Sequence, residues 1–478
     1  MLFNSFGFIF AFFPIVLMAY GIFQHLLGKR NKGWTKERMF LLFLFLMSLL
    51  FYGWSYPKCV FFLLVSMGGN YLLAMGMLHK KEKTVPILWI GIVLNVAALV
   101  LVKCLQLTAP GISFFTFSQI AFLVEICRGM QEEVSFLEYG LYISFFPKLI
   151  QGPIALPKDL LKQFSAYCMR TDWERMFRGI YLFVLGLFKK VLIADTLGGA
   201  ADFGFASPEI LNSGDAWIVM VSYALQLYFD FSGYCDMAMG LAGMIGFDLP
   251  LNFNAPYQSA DIIEFWDRWH ITLTTFFTKY IYIPLGGSRK GRVRTYVNCM
   301  IVFLISGFWH GTGWQFLIWG MMHGTLTVFT RMWREWKEKK KITAGLPHGI
   351  CVCLTFLYVN VAWVFFRASS VENALALLKK LVSFEFGRIN WDLAKCFNLD
   401  EFWYVIKVLG ADSWQYAHYI LMVLLLTAVL LLVFKARTAV DYVKTVKPDV
   451  LHVLAMAVMF VWSVVTMSEV SSFLYFNF

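Results

Sequence analysis

Apolar runs long enough to cross a bilayer recur along this entire chain, and they limit what it can become. A membrane-spanning helix needs about 20 apolar residues. Runs of that kind are expected near 6–27, 39–54, 58–78 and 85–103, then 178–196, 215–245, 295–310, 314–331, 348–366, 416–434 and 449–470. Lipid offers no partners to backbone N–H and C=O groups, so segments that cross must satisfy them internally as helices or closed barrels. The runs have helical length, which predicts an all-α polytopic membrane protein. Composition agrees: 15% of the 478 residues are charged and 59% are hydrophobic, against about 25% charged in soluble domains. No large soluble domain fits between the runs.

The net charge of +11 does not point to nucleic acid. Its basic residues fall in short clusters between apolar runs, as the positive-inside rule expects. Lys29, Arg30, Lys32, Lys36 and Arg38 form one cluster, and Lys80, Lys81 and Lys83 another. Two spans separate them, so both can face the cytoplasm, which puts the N-terminus outside. Arg331 to Lys341 and Lys435 to Lys447 repeat the pattern, and the last span then carries the C-terminus outward. The nine Cys residues show no metal-ligand spacing and read as reduced packing residues. The run from Phe6 to Phe23 lacks a basic start and a small-residue cleavage site, so it reads as the first span.

The middle third is harder to thread. Apolar pieces near 111–126 and 139–153 are interrupted by Gly and Pro. Residues 157–176 read as an interfacial helix, with Leu160, Leu161 and Phe164 among Lys158, Lys162 and Arg170. Broken backbone at membrane depth is tolerated where it is buried in protein or lines a cavity. Gly111, Gly152, Pro153, Pro284, Gly286, Gly287, Gly307, Gly311 and Gly313 make this third the expected seat of one.

Two Trp-His pairs carry the chemistry. Trp269-His270 falls in a segment, 261–285, that reads as an amphipathic helix. Trp266, Trp269, Leu273, Phe277 and Tyr280 form its apolar stripe, and Asp267, His270, Thr274 and Thr278 a polar one. A structural role for His270, paired with Asp267, stays open. Trp309-His310 ends an apolar run and meets Gly311 and Gly313. An ionisable residue there is a functional candidate by default. Low dielectric favours a neutral imidazole, the form a general base needs. The competing role is a buried His held by a backbone carbonyl. His323 is a weaker rival that equally suits helix packing. Lys279, Arg289, Lys290, Arg292 and Arg294 lie beside this core as candidate contacts for a phosphate-bearing donor, or as an ordinary positive-inside loop.

Phe-Trp-Asp-Arg-Trp-His at 265–270 followed by Gly-Phe-Trp-His-Gly at 307–311 resembles the membrane-bound O-acyltransferase superfamily. Further runs are similar to its alginate O-acetylation subgroup: Ser-Phe-Phe-Thr-Phe (113–117), Phe-Pro-Lys-Leu-Ile-Gln-Gly-Pro-Ile (146–154), Tyr-Phe-Asp-Phe-Ser-Gly-Tyr-Cys-Asp-Met-Ala (228–238), Asn-Phe-Asn-Ala-Pro-Tyr (252–257) and Tyr-Ile-Pro-Leu-Gly-Gly (282–287). The resemblance implies a ring of about 11–13 transmembrane helices, with re-entrant and interfacial pieces, around a central tunnel. It implies N-terminal spans over 1–104, a catalytic core with the tunnel over 105–331, and C-terminal spans with an aromatic tail over 332–478. His310 becomes the catalytic residue and His270 its partner, with Trp269, Trp309, Asp267 and Arg268 supporting the tunnel.

The same resemblance implies a bacterial cell-membrane enzyme, and the charge pattern puts both termini on its extracytoplasmic side. It would pass an acyl group, expected to be acetyl, from cytoplasmic acetyl-CoA to the outside for O-acetylation of a cell-surface polysaccharide. Acetyl-CoA would be a substrate, with no bound cofactor or metal, and an extracytoplasmic SGNH-type acetyltransferase would be the partner. D-alanyl transfer from a carrier protein to teichoic acid stays open, as does a transporter or flippase without covalent chemistry. The final residues, Phe473-Leu474-Tyr475-Phe476-Asn477-Phe478, resemble the short aromatic tail of such acyl-export systems. There the tyrosine is an acyl relay, which makes Tyr475 a relay candidate. A plain interfacial anchor is the alternative.

Overall fold

The computed structural model describes residues 1–26, 35–79, 83–130, 134–170, 172–342, 345–410, 414, 416–467 and 473–474. All regular structure among them is helical. A π-helical turn, Phe8–Phe12, leads into α1 (Phe13–Leu26), followed by α2 (Lys36–Gly53), α3 (Pro57–His79) and α4 (Thr84–Cys104). The middle of the chain holds α5 (Ile112–Cys127), α6 (Phe136–Ser144), α7 (Phe146–Leu149), α8 (Pro157–Ser165), α9 (Trp173–Phe188), α10 (Asp195–Ala206) and α11 (Ser213–Met244). Next come α12 (Ile262–Arg268), α13 (Ile271–Phe277), α14 (Arg292–His310) and α15 (Trp314–Lys340). The chain continues through α16 (His348–Arg367), α17 (Val371–Val382), α18 (Trp391–Lys395), α19 (Asp400–Val408), α20 (Ala417–Lys435), α21 (Ala439–Thr445) and α22 (Val450–Thr466).

Among the described residues, five helices are long and apolar enough to cross a membrane: Phe8–His25, α3, α4, α16 and α20. The outer faces of α3 and α4 present Phe61, Leu72, Trp89, Val93 and Leu101. Exposed apolar residues of this kind fit a lipid surrounding. Lys29, Arg30, Lys32, Lys80 and Lys81, on which the orientation argument leans, lie outside the described residues.

The core sits around α11, which is buried along most of its length. Its start is fixed by Asn212, whose side chain accepts the Asp215 N–H at 3.0 Å while the Asp215 carboxylate accepts the Asn212 N–H. Helix α9 lies against it through two glycine contacts spaced alike on both helices. A Cβ on Gly186 would lie 2.5 Å from the Gly233 carbonyl oxygen, and one on Gly240 would lie 2.5 Å from that of Gly179. Absent side chains let the two backbones touch, as in membrane helix pairs generally. After α9 the chain widens into a π-helical turn, Lys189–Ala194. Here two consecutive lysines both reach carboxylates of α11: Lys189 meets Asp236 at 2.6 Å and Lys190 meets Asp230 at 2.7 Å.

A second close pair, α14 and α15, forms a hairpin in which Gly307 faces Gly320. A Cβ on Gly320 would lie 2.5 Å from the Phe303 carbonyl oxygen. The two ends of the chain converge. The Met1 ammonium donates to the Phe51 carbonyl and to Ser55 Oγ. Phe3 stacks on Tyr234 of α11 at 4.7 Å, and Phe473 meets the same ring edge-on at 4.9 Å.

The sequence expectation differs from the structure in two places. Residues 157–176 are not one interfacial helix, because α8 ends at Ser165 and α9 starts at Trp173. Residues 261–285 are not a continuous amphipathic helix either. The chain breaks at His270 between α12 and α13, then passes into a π-helical turn at Thr278–Tyr282.

Candidate active site

His270 adopts a left-handed backbone, with φ of +45°, which is strained for a residue with a side chain. Neighbouring backbone holds it there. The Asn254 N–H donates to the Arg268 carbonyl and the Ile271 N–H to the Asn252 carbonyl, each at 3.0 Å. The segment 252–254 thus grips both sides of the break. It turns the His270 ring inward, where the residue is 1% exposed, edge-on to Phe231 at 4.8 Å.

The polarity of this ring is set by its surroundings. Asn252 Oδ1 lies 3.0 Å from His270 Nδ1. The same oxygen accepts the Thr272 N–H at 3.3 Å and the Thr272 hydroxyl at 2.9 Å. A backbone N–H can only donate, so the Asn252 atom it meets is the carbonyl oxygen. The amide side of Asn252 donates to Cys235 Sγ at 3.2 Å. His270 Nδ1 therefore carries the proton, and in the neutral ring Nε2 holds the lone pair. Asp267, the sequence-suggested partner, instead lines a cavity with Thr274 and Arg331.

His310 ends α14, 4% exposed. Its ring lies among Trp309 at 4.5 Å, Trp319 at 5.1 Å and Phe366 at 4.8 Å. The α14–α15 hairpin brings Trp319 there, and the Phe316 ring fills the space a side chain on Gly311 would need. Lys103, at the end of α4, donates to the Trp309 carbonyl and stands 5.4 Å from the centre of its indole. A cation on one of the last carbonyls of a helix complements the helix dipole. Phe117, from the Ser-Phe-Phe-Thr-Phe run, packs on Trp309 at 5.3 Å and on Phe276 at 4.4 Å.

The two histidines share one aromatic enclosure. Trp269 meets Trp363 at 5.1 Å, Trp363 stacks with Trp319 at 5.8 Å, and Trp319 meets His310. The imidazoles are within electrostatic range of each other. His323 is part of the wall: its Nδ1 accepts the Trp266 indole N–H at 3.3 Å and its ring lies 4.9 Å from that of Trp319.

Two cavities approach the pair. One, of about 170 Å³, is lined by Asp267, Thr274, Thr278, Ser306 and Arg331 among others. Thr274 is one helical turn from His270, and Ser306 is one turn from His310. The other, of about 330 Å³, is mostly apolar and runs between α4, α5 and α14 to Lys103 and Trp309.

The other sequence candidates are spread out. Lys279 pairs with Glu125 at 3.1 Å and lines a cavity of about 280 Å³ with Asp267 and Thr275. Arg289 and Lys290 are exposed on the turn after Gly287. Arg292 pairs with Glu335 and is 72% exposed, and Arg294 donates to the Leu285 carbonyl. Arg268 pairs with Glu264, one turn away on α12. Tyr475 lies outside the described residues. Sequence reading did not single out Asn252, Lys103 or the cavity position of Arg331. Only Asn252 carried a signal, as the first residue of the 252–257 run.

The sequence model described as MBOAT, membrane-bound O-acyltransferase family, matches residues 10–367. A peptidoglycan O-acetyltransferase of Helicobacter pylori is 38% identical over 430 residues, which cover 80% of each chain. A probable alginate O-acetylase of Azotobacter vinelandii is 40% identical over 57% of this chain and 54% of its own. A teichoic acid D-alanyltransferase of Bacillus subtilis is 27% identical over 55% of this chain and 69% of its own. With its two Trp-His pairs closed into one buried enclosure, the chain belongs to the membrane-bound O-acyltransferase family.

Proposed function

We propose that this O-acyltransferase takes an acetyl group from acetyl-CoA on the cytoplasmic side and delivers it outward for O-acetylation of a cell-surface polysaccharide. The observation that carries the reading is the burial of His270 and His310 in one enclosure, each one helical turn from a residue, Thr274 or Ser306, that lines the cavity of Asp267 and Arg331. The relatives named for peptidoglycan and alginate acetylation support the substrate class.

In this reading the donor enters the cavity lined by Asp267 and Arg331. Its phosphates meet Arg331, Lys279 and the basic turn from Arg289 to Arg294. That turn is tied to the cavity wall, because Asn298, beside cavity-lining Cys299, donates to the Gly287 carbonyl at 3.0 Å. The acceptor hydroxyl, on Tyr475 or on a partner, attacks the thioester carbon. The C–S bond breaks as the C–O bond forms. His310 takes the hydroxyl proton and returns it to the leaving thiolate, so free CoA departs inward. His270, a neutral ring with its lone pair at Nε2, stabilises the positive charge that His310 gains when it takes that proton. Donation from His270 to the oxyanion fits less well, since the only proton of the neutral ring is held by Asn252. The enclosure excludes water that would hydrolyse the thioester.

The relay role of Tyr475 is supported by contacts next to it in the chain. Phe473 packs on Tyr234, and the adjacent Cys235 accepts from Asn252, which holds His270. An SGNH-type transferase outside would then move the acetyl group to the polymer. Purified protein in lipid nanodiscs should release free CoA from acetyl-CoA, and His310→Ala should not. A non-covalent exporter would release none, and that result would overturn the reading.

A further inference from the structure

The larger of the two cavities beside the histidines, about 330 Å³, is a groove along α4. Trp89, Ile92, Val96, Leu99 and Lys103 line it. They step by three and four residues, so they share one face of the helix. From Trp89 to Lys103 that face is about 21 Å long at 1.5 Å per residue. Half of a bilayer's hydrocarbon core is about 15 Å thick, so the groove is long enough for an acyl chain laid along α4. The facing walls are α5 and α14, and the groove ends at Trp309 and Thr312. Its rim belongs to the outer surface of the helices, where Trp89, Val96 and Phe308 are exposed. An occupant can therefore enter sideways from the bilayer.

Among the described residues that line the groove, Lys103 alone carries a charge. Its ammonium donates to the Trp309 carbonyl and stands 5.4 Å from the centre of that indole. Neither partner is an anion, and among the described residues no carboxylate pairs with it. An ammonium has three N–H donors, so positive charge and donor capacity remain at one end of an apolar groove. A small soluble anion would satisfy the charge and leave the groove empty. A neutral alkyl chain would do the reverse. We propose that the groove binds one anionic phospholipid, with an acyl chain along α4 and its phosphate at Lys103. The phosphate shares Lys103 with the Trp309 carbonyl, and so braces α4 against the end of α14 beside His310. The site goes beyond the acyl-transfer reading and does not depend on it.

The test is native mass spectrometry of the full-length protein in detergent, titrated with palmitoyl-oleoyl phosphatidylglycerol or with phosphatidylcholine of the same chains. Wild-type protein should hold one phosphatidylglycerol about fivefold more tightly than phosphatidylcholine, the gain that one lysine near a membrane surface gives an anionic lipid. Lys103→Met should bind the two lipids alike. Val96→Trp, which fills the groove from its rim, should lose the tightly held lipid of either kind. Where that variant fails to fold, Val100→Trp, one turn along the same wall, decides. Equal binding of the two lipids by wild type, a phosphatidylglycerol preference that survives Lys103→Met, or unchanged binding with the groove filled would overturn the site. Tighter retention of palmitoyl-CoA than of phosphatidylglycerol at equal concentration would make the groove a pocket for a donor's chain, and would overturn it too.

Discussion

Asn252 and His270 share a hydrogen bond that can run in only one direction, because the Thr272 N–H points at the same Asn252 oxygen. His270 is thereby an Nδ1–H tautomer with its lone pair at Nε2. The strained backbone of His270 and the grip of 252–254 serve that orientation. Without the acceptor at 252 the ring could flip or change tautomer, and His310 would lose the neutral acceptor beside it. Asn252→Leu should lower CoA release on the order of 10- to 100-fold, while Asn252→Asp, which keeps an acceptor oxygen, should retain more activity. Equal loss in both variants would show that Asn252 matters only for packing.

His310→Ala removes the proposed base. CoA release should fall by about 10²–10⁴-fold, with the amount of folded protein unchanged, since the aromatic wall of Trp309, Trp319 and Phe366 remains. His323→Gln, in the wall of the enclosure, should keep most of the activity. The pair of assays, turnover and size-exclusion profile, separates chemistry from folding.

Lys103→Met takes the cation off the Trp309 carbonyl and its indole. The lost charged hydrogen bond is worth roughly 1.5–3 kcal/mol in general, and here it ties α4 to the end of α14 beside His310. CoA release should drop about tenfold, because 1.4 kcal/mol of misplacement corresponds to that factor. Lys103→Arg should recover part of it. Wild-type turnover in Lys103→Met would mean that the end of α14 is held without it.

The glycine contacts between α9 and α11 make a stability prediction. Gly186→Val would push a side chain into the Gly233 carbonyl and Met237, at a cost of about 1–3 kcal/mol or more. Gly243→Ala, where a Cβ meets nothing within 4 Å, should be neutral or slightly stabilising. Thermal unfolding in one detergent compares the two directly.

Much of this arrangement was legible in the residues. The span pattern and the two Trp-His pairs stand in the sequence as local signals, and the structure buries both histidines among aromatic rings. What could not be read locally were partners brought in from far away. Lys103 is 206 residues from Trp309, and Leu474 is 244 from Asp230. The break at His270 has no glycine or proline to announce it. It exists because a segment 16 residues upstream pairs with the backbone on both sides, so periodicity alone predicted one helix through it. The basic turn at 289–294 was visible as charge, whereas the cavity cation Arg331 was hidden in a run of loop-like lysines and arginines.

The central claim is that an acetyl group passes from a thioester donor, through the histidine enclosure, to the chain's own aromatic end. Incubation with isotope-labelled acetyl-CoA followed by tandem mass spectrometry of the C-terminal peptide tests it in one step. The account predicts a labelled acetyl ester on Tyr475 in the wild type and none in His310→Ala. A wild-type peptide that stays unlabelled while CoA is released, or label that persists in His310→Ala, would contradict it.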